Sequence, residues 1–162
     1  FKLIYMENIN GDMQILTNDP QLGDVASTIQ CNGMNMIPTH FFNLDYDKQA
    51  MKELGNYIGS CGAGRFYMAI DGKGNIYPCE YFRDLKIANI CDDLDTMWLN
   101  NDILLKLRNR SLLKGKCGCC ESKYICGGCR KRAFVENNDY LAEDKNCLKD
   151  IKENVKKIEK II

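Results

Sequence analysis

The chemistry of this sequence rests on thiols. Ten of its 162 residues are cysteine, and seven of them are spaced in a recognisable order. Cys117-x2-Cys120-x5-Cys126-x2-Cys129 forms a central run. Upstream, Cys61 is followed by twelve residues, Gly74, four residues and Cys79; downstream, Cys147 stands alone. A Cys-x2-Cys loop lets two thiolates converge on one metal centre while nearby backbone N–H groups point at the sulfurs. Structural zinc fits two such pairs, but zinc ribbons usually separate them by about 12 residues or more. Five residues is a tight link for two knuckles closing on one tetrahedral ion. A cubane, with its irons several ångströms apart, accepts ligands spread along such a loop more readily. The spacing favours iron–sulfur chemistry, with a zinc-binding interaction module as the alternative.

Bulk properties frame this reading. Hydrophobic residues make up 45% and charged residues 27%, ordinary proportions for a globular chain. No apolar run approaches the roughly 20 residues of a membrane span. The opening Phe1-Lys2-Leu3-Ile4-Tyr5-Met6-Glu7 has neither the charged and apolar regions nor the cleavage site of a signal peptide. Dense cysteine without an export signal points to a reducing, cytoplasmic setting, where clustered thiols bind metal more often than they pair. The formal net charge is zero but uneven. Nine basic residues (Lys106, Arg108, Arg110, Lys114, Lys116, Lys123, Arg130, Lys131, Arg132) lie between 106 and 132, against one acid, Glu121. They read either as a solvated basic face or as an offset to cluster charge. A nucleic-acid surface is not expected, because Tyr124 is the only aromatic there that could stack on a base.

The elements that must position the cysteines follow from pattern. Leu3–Met6 and Met13–Thr17 read as short strands, with Asn18-Asp19-Pro20 ending the second and starting a helix. Residues 24–43 read as irregular and Leu44–Ile58 as helical, with a domain boundary at Gly59 or Ser60. Phe66–Ile70 and Asn75–Tyr77 read as a hairpin across Asp71-Gly72-Lys73-Gly74, with Pro78 ending the return strand. Such a hairpin brings Cys61 and Cys79 near each other. Tyr67 and Tyr77 are expected to pack on it. Leu94, Met97, Trp98, Leu104, Leu105 and Leu107 read as a helical core face. Leu148, Ile151, Val155 and Ile158 read as a C-terminal amphipathic helix. His40, the single histidine, reads as a loop residue with ordinary hydrogen bonds, and the seven methionines as core filler.

The seven cysteines in this order resemble the SPASM domain, the auxiliary-cluster module found at the C-terminus of many radical S-adenosylmethionine enzymes. That family's pattern is Cys, nine to fifteen residues, Gly, four residues, Cys; then Cys-x2-Cys-x5-Cys-x3-Cys; then a last Cys. Here the last central spacing is two residues rather than three. Cys61-Gly62-Ala63-Gly64-Arg65, Tyr77-Pro78-Cys79, Cys126-Gly127-Gly128-Cys129-Arg130-Lys131-Arg132-Ala133 and Asp139-Tyr140-Leu141-Ala142-Glu143-Asp144 resemble the branch of haem-pathway enzymes and peptide maturases. The resemblance implies an α+β chain: residues 1–60 as the end of a partial β/α barrel, residues 61–162 as the SPASM domain.

It also implies two 4Fe–4S clusters, one on Cys117, Cys120, Cys126 and Cys147, the other on Cys61, Cys79 and Cys129. The fourth ligand of the second is left open between Cys31, Cys91 and Cys119, an iron open to substrate or a small molecule, and a protein with one cluster only. Arg65 is a candidate contact for substrate or cluster. The expected role is electron transfer and substrate-site formation in modification of a tetrapyrrole or a ribosomal peptide, with an electron donor such as ferredoxin or flavodoxin. The Cys-x3-Cys-x2-Cys loop that binds the S-adenosylmethionine-cleaving cluster does not occur. The chain is therefore read as part of a larger enzyme, inactive alone, whose partner is the missing radical core; a freestanding electron-transfer or cluster-carrier protein is the alternative. Residues 114–129 have little apolar reason to order, so their folding should depend on metal. Limited proteolysis of metal-free protein is expected to cut within 114–129, and metal loading to protect it; resistance without metal would contradict this.

Overall fold

The computed structural model describes residues 61–150, together with residues 19–21 and 24. Among these residues the fold is α+β, with a three-stranded antiparallel sheet and short helices. The early strands, the 44–58 helix, His40 and Cys31 lie outside the described residues, as does the C-terminal stripe beyond Asp150. At the expected helix start, Asp19 Oδ1 accepts the Gln21 N–H at 3.0 Å across Pro20, and Gln21 and Asp24 are helical.

The hairpin forms as its turn dictates. β1 (Ala69–Ile70) pairs with β2 (Asn75–Tyr77) in the register Ala69 to Tyr77 and Ile70 to Ile76. One Asp71 carboxylate oxygen accepts the N–H groups of Lys73 and Asn75, and the other accepts from Asn75 Nδ2 and the Tyr77 hydroxyl. These donors, with Asn75 foremost, hold the carboxyl far below the usual carboxylate range. Gly74 closes the turn at φ +77°, a conformation open to glycine without penalty. β2 ends at Tyr77, immediately before Pro78.

A third strand, β3 (Ala88–Asn89), pairs with β2 and was not foreseen. It is two residues long, too short to show a period, and its place depends on Gly74, whose carbonyl accepts the Ile90 N–H.

The expected helical core face divides in two. α1 (Leu94–Asn100) and α2 (Asp102–Arg108) meet at Asn101, which ends one helix and caps the next. Its side-chain oxygen accepts the N–H groups of Ile103 and Leu104, and its amide donates to the Ile87 carbonyl. The bend buries Met97, Leu104 and Leu107 and leaves Leu94 and Leu105 exposed. Ile76, Ala88, Met97 and Leu104 form one core, with Met68, Ile87 and Trp98 around it. A second, of Ala63, Cys79 and Phe82, takes in Cys61, Leu85, Phe134 and Tyr140.

A 3₁₀ turn (Arg110–Leu112), α3 (Gly115–Cys119) and α4 (Arg130–Asn137) complete the described elements. Among the described residues no helix is long and apolar enough to cross a membrane. Asn101→Ala removes the α2 cap and should cost about 1 kcal/mol or more. Urea unfolding of the reconstituted protein, followed by far-UV circular dichroism, checks this.

Candidate metal centre

Local structure brings the cysteines to element ends. Cys117 and Cys119 lie in α3, Cys120 ends it, and Cys129 precedes the first turn of α4. Cys126 closes a run of turns, and Cys147 precedes the helical residues 148–150. All nine described cysteines are free thiols.

Cys117, Cys119, Cys120, Cys126 and Cys147 line one cavity of about 330 Å³, with Asp24, Asp144 and Lys149 also on its wall. Backbone and side-chain donors point at three of the sulfurs. The Asp144 N–H lies 3.4 Å from Cys117 Sγ, the Gly128 N–H 3.4 Å from Cys126 Sγ, and Lys149 Nζ 3.5 Å from Cys120 Sγ. Burial pushes the Cys126 thiol up to about 12, and the charges of Asp24, Cys117 and Cys147 add to it. Among the described residues no three His, Cys, Asp or Glu side chains converge closely enough to share a single ion; these thiols line a space.

Cys61, Cys79 and Cys129 form a separate group. The hairpin brings the first two together: the Gly64 N–H reaches the Pro78 carbonyl at 2.9 Å, joining the Cys61 loop to the residue before Cys79, and Cys129 comes from the start of α4. Cys79 is 6% exposed, and burial pushes its thiol up to about 11, helped by the charges of Cys61 and Cys129. The Cys129 thiol is raised by burial first and then by Cys61. Tyr67 borders the group. Its hydroxyl is raised well above the ordinary tyrosine range by burial first, then by the charges of Cys61, Cys79, Glu80 and Cys129. The residue as a whole is 39% exposed. Tyr77 packs on the hairpin as expected.

The basic run sorts by chemistry. Lys114, Lys116 and Lys131 pair with Asp139, Asp150 and Asp84 at the surface. Arg110 and Arg130 are buried, 3% and 2% exposed. Arg130 donates to the Tyr140 and Ala142 carbonyls at 3.0 and 2.8 Å and lies 3.7 Å from Cys117 Sγ. Arg132 bridges Asp144 and Asp19. Burial works against the Asp144 charge, but the Arg132 guanidinium and the Cys129 N–H outweigh it and lower its pKa.

Arg65 stacks over the Phe66 ring at 5.5 Å and is absent from the cavity wall. Cys91 sits in an exposed turn after β3, and exposed Cys119 is on the wall of the five-thiol cavity. Arg110, Lys149 and Asp24 were not singled out from the sequence, and Asp144 entered only as the last residue of the 139–144 segment, with no role of its own. Arg110 was one of nine basic residues, and burial, which separates it from the rest, leaves no local mark. Thiols gathered in this way bind soft metals and metal–sulfur clusters once their protons leave.

About half of the chain is similar to known enzymes of one class. An AdoMet-dependent heme synthase of Methanosarcina barkeri is 38% identical over 89 residues, 54% of this chain and 25% of the relative. A pre-heme d1 synthase of Dinoroseobacter shibae is 34% identical over 82 residues, 48% of this chain and 20% of the relative. The mycofactocin maturase MftC of Mycobacterium ulcerans is 31% identical over 96 residues, 56% of this chain and 26% of the relative. These similarities are consistent with a radical S-adenosylmethionine/SPASM-related region. They do not favour the freestanding carrier or the zinc module. The chain spans about a quarter of the length of the curated relatives it matches. No family model matches the chain. No solved structure matches it.

Raised thiol pKa values mean that metal-free protein keeps these groups protonated at neutral pH. Iodoacetamide at pH 8 should alkylate exposed Cys91 and Cys119 well before Cys79. The gap should narrow as the pH approaches 11, where the Cys79 thiol ionises. Peptide mapping reads this directly, and equal rates at pH 8 would show that Cys79 is not sheltered.

Proposed function

We propose that the chain is the auxiliary-cluster region of a radical S-adenosylmethionine enzyme. Residues 61–162 are its SPASM domain and residues 1–60 the end of its partial β/α barrel. Cys117, Cys120, Cys126 and Cys147 hold one 4Fe–4S cluster; Cys61, Cys79 and Cys129 hold a second. The observation that carries this reading is the common cavity, which gathers Cys147 with three cysteines of the central run. Similarity to enzymes of haem and peptide maturation supports it.

The chain's own groups fit such clusters. Soft thiols line a space far larger than one zinc ion held at about 2.3 Å by its sulfurs. N–H donors aim at the sulfurs, as cluster stabilisation requires. Arg110 is buried with two guanidinium nitrogens unpartnered, which suits an anionic neighbour. When bound, 4Fe–4S clusters accept and release single electrons. Around them Asp144 and Arg130 hold Cys117, Lys149 sets its charge beside Cys120, and Tyr67 closes one side of the three-cysteine group. Cys119 lies on the other cavity and Cys91 in an exposed turn, which leaves Cys31, or an iron open to substrate or a small molecule, for the fourth position of the Cys61 cluster.

The role is electron transfer and substrate-site formation during modification of a tetrapyrrole or a ribosomal peptide, in the cytoplasm. The partners are the catalytic radical core and a donor such as ferredoxin or flavodoxin. Anaerobic reconstitution should give about eight irons with matching sulfide. Cys120→Ala or Cys126→Ala should each leave about four. Tightly held zinc without sulfide, or unchanged iron in both variants, would overturn the assignment.

A further inference from the structure

Arg110 is 3% exposed, yet its charge has no carboxylate partner among the described ion pairs. One nitrogen, Nη2, donates to the Cys61 carbonyl at 3.0 Å. Nε and Nη1 are buried without a hydrogen-bond partner. Arg130, equally buried, spends its N–H groups on carbonyls and a sulfur. A buried cation left unpaired is strongly unfavourable, so a guanidinium in this state calls for negative charge beside it.

The position of Arg110 says where that charge lies. Its Nη2 binds the backbone of Cys61, in the three-cysteine group. Its Nη1 occupies the space against Gly127, where a Cβ would come within 2.0 Å. Gly127 lies between Cys126, on the five-thiol cavity, and Cys129, in the three-cysteine group. The thiols that act on the guanidinium come from both sides: Cys61 from one, Cys126 and Cys117 from the other. Two other buried charges lie here: Asp144 joins the Cys129 N–H to Cys117 Sγ but is an anion, and the cation Arg130 reaches Cys117 Sγ with its donors already engaged.

We propose that Arg110 is a positioning residue shared by both thiol groups, a permanent cation between them that stabilises the added electron on either centre. The inference rests on the two-cluster reading above and adds that the two centres are tuned by one side chain.

The test is a dithionite titration of reconstituted chain, followed by electron paramagnetic resonance, for wild type, Arg110→Lys and Arg110→Gln. Each centre gains one electron from dithionite, and its midpoint is read separately. With iron and sulfide unchanged, Arg110→Gln is expected to lower both midpoints, and Arg110→Lys, which keeps the charge, to lower both by less. If Arg110→Gln fails to hold iron while Arg110→Lys loads, the same need for charge appears as lost assembly. Midpoints unmoved in Arg110→Gln, movement at one centre alone, or equal loss of iron in both variants would overturn the inference. Wild type that takes up no iron and sulfide, or only one centre's worth, overturns the reading beneath it. Two loaded centres indifferent to residue 110 overturn this inference alone.

Discussion

The Asp144 carboxylate accepts the Cys129 N–H at 2.8 Å and the guanidinium of Arg132 at 2.7 Å, while its backbone N–H reaches the Cys117 sulfur. Three stretches that share no hydrophobic face are thereby joined: the middle of α3, the start of α4 and the segment leading to Cys147. Arg132 extends the link to Asp19 at 2.8 Å, and Gln21 bonds on either side of Cys147, accepting from the Leu148 N–H and donating to the Asn146 carbonyl. Asp144 is 3% exposed. Removing one partner of a buried pair costs roughly 3–5 kcal/mol, and the lower end applies here because the Arg132 side chain is 28% exposed. The placement of Cys117, Cys129 and Cys147 depends on this polar junction more than on apolar burial, whereas Cys61 and Cys79 sit in the apolar core.

The two halves of the described structure are held by different forces. Around the hairpin, α1 and α2, fully buried Ile76 and Leu104 each contribute about 1.5–3 kcal/mol of apolar burial. From Lys114 to Cys129 the only buried side chain is that of Ser122. Order there comes from hydrogen bonds to sulfur, carbonyl and carboxylate. Lys114 and Lys116 remain outside in solvated pairs, while the planar guanidinium of Arg110 and Arg130, more weakly hydrated and with a fixed fork of donors, goes inside.

Much of this was legible because it is local. The Asp71–Gly74 turn, the strand end before Pro78 and the buried face at Met97 and Leu104 all follow from spacing and turn chemistry. What was not legible depends on long separations. β3 is fixed by its pairing with β2 and by the Gly74 carbonyl, not by a period of its own. The break at Asn101 comes from one residue that serves two helices, its backbone N–H closing α1 and its side chain capping α2 and bonding the Ile87 carbonyl just before β3. Of the site, the cysteines could be found by spacing; the order of their surroundings could not, since Arg110 looks like any surface charge, and Asp144 shows no role of its own, until their burial is known.

Gly127 leaves no room for a side chain on the face where Arg110 lies. The two residues are far apart in sequence, yet each sets a limit on the other. A larger residue at 127 would evict the guanidinium, and a smaller one at 110 would leave a void beneath the loop. They pack as one unit, in which a side chain added at 127 is admitted only if the guanidinium at 110 gives way.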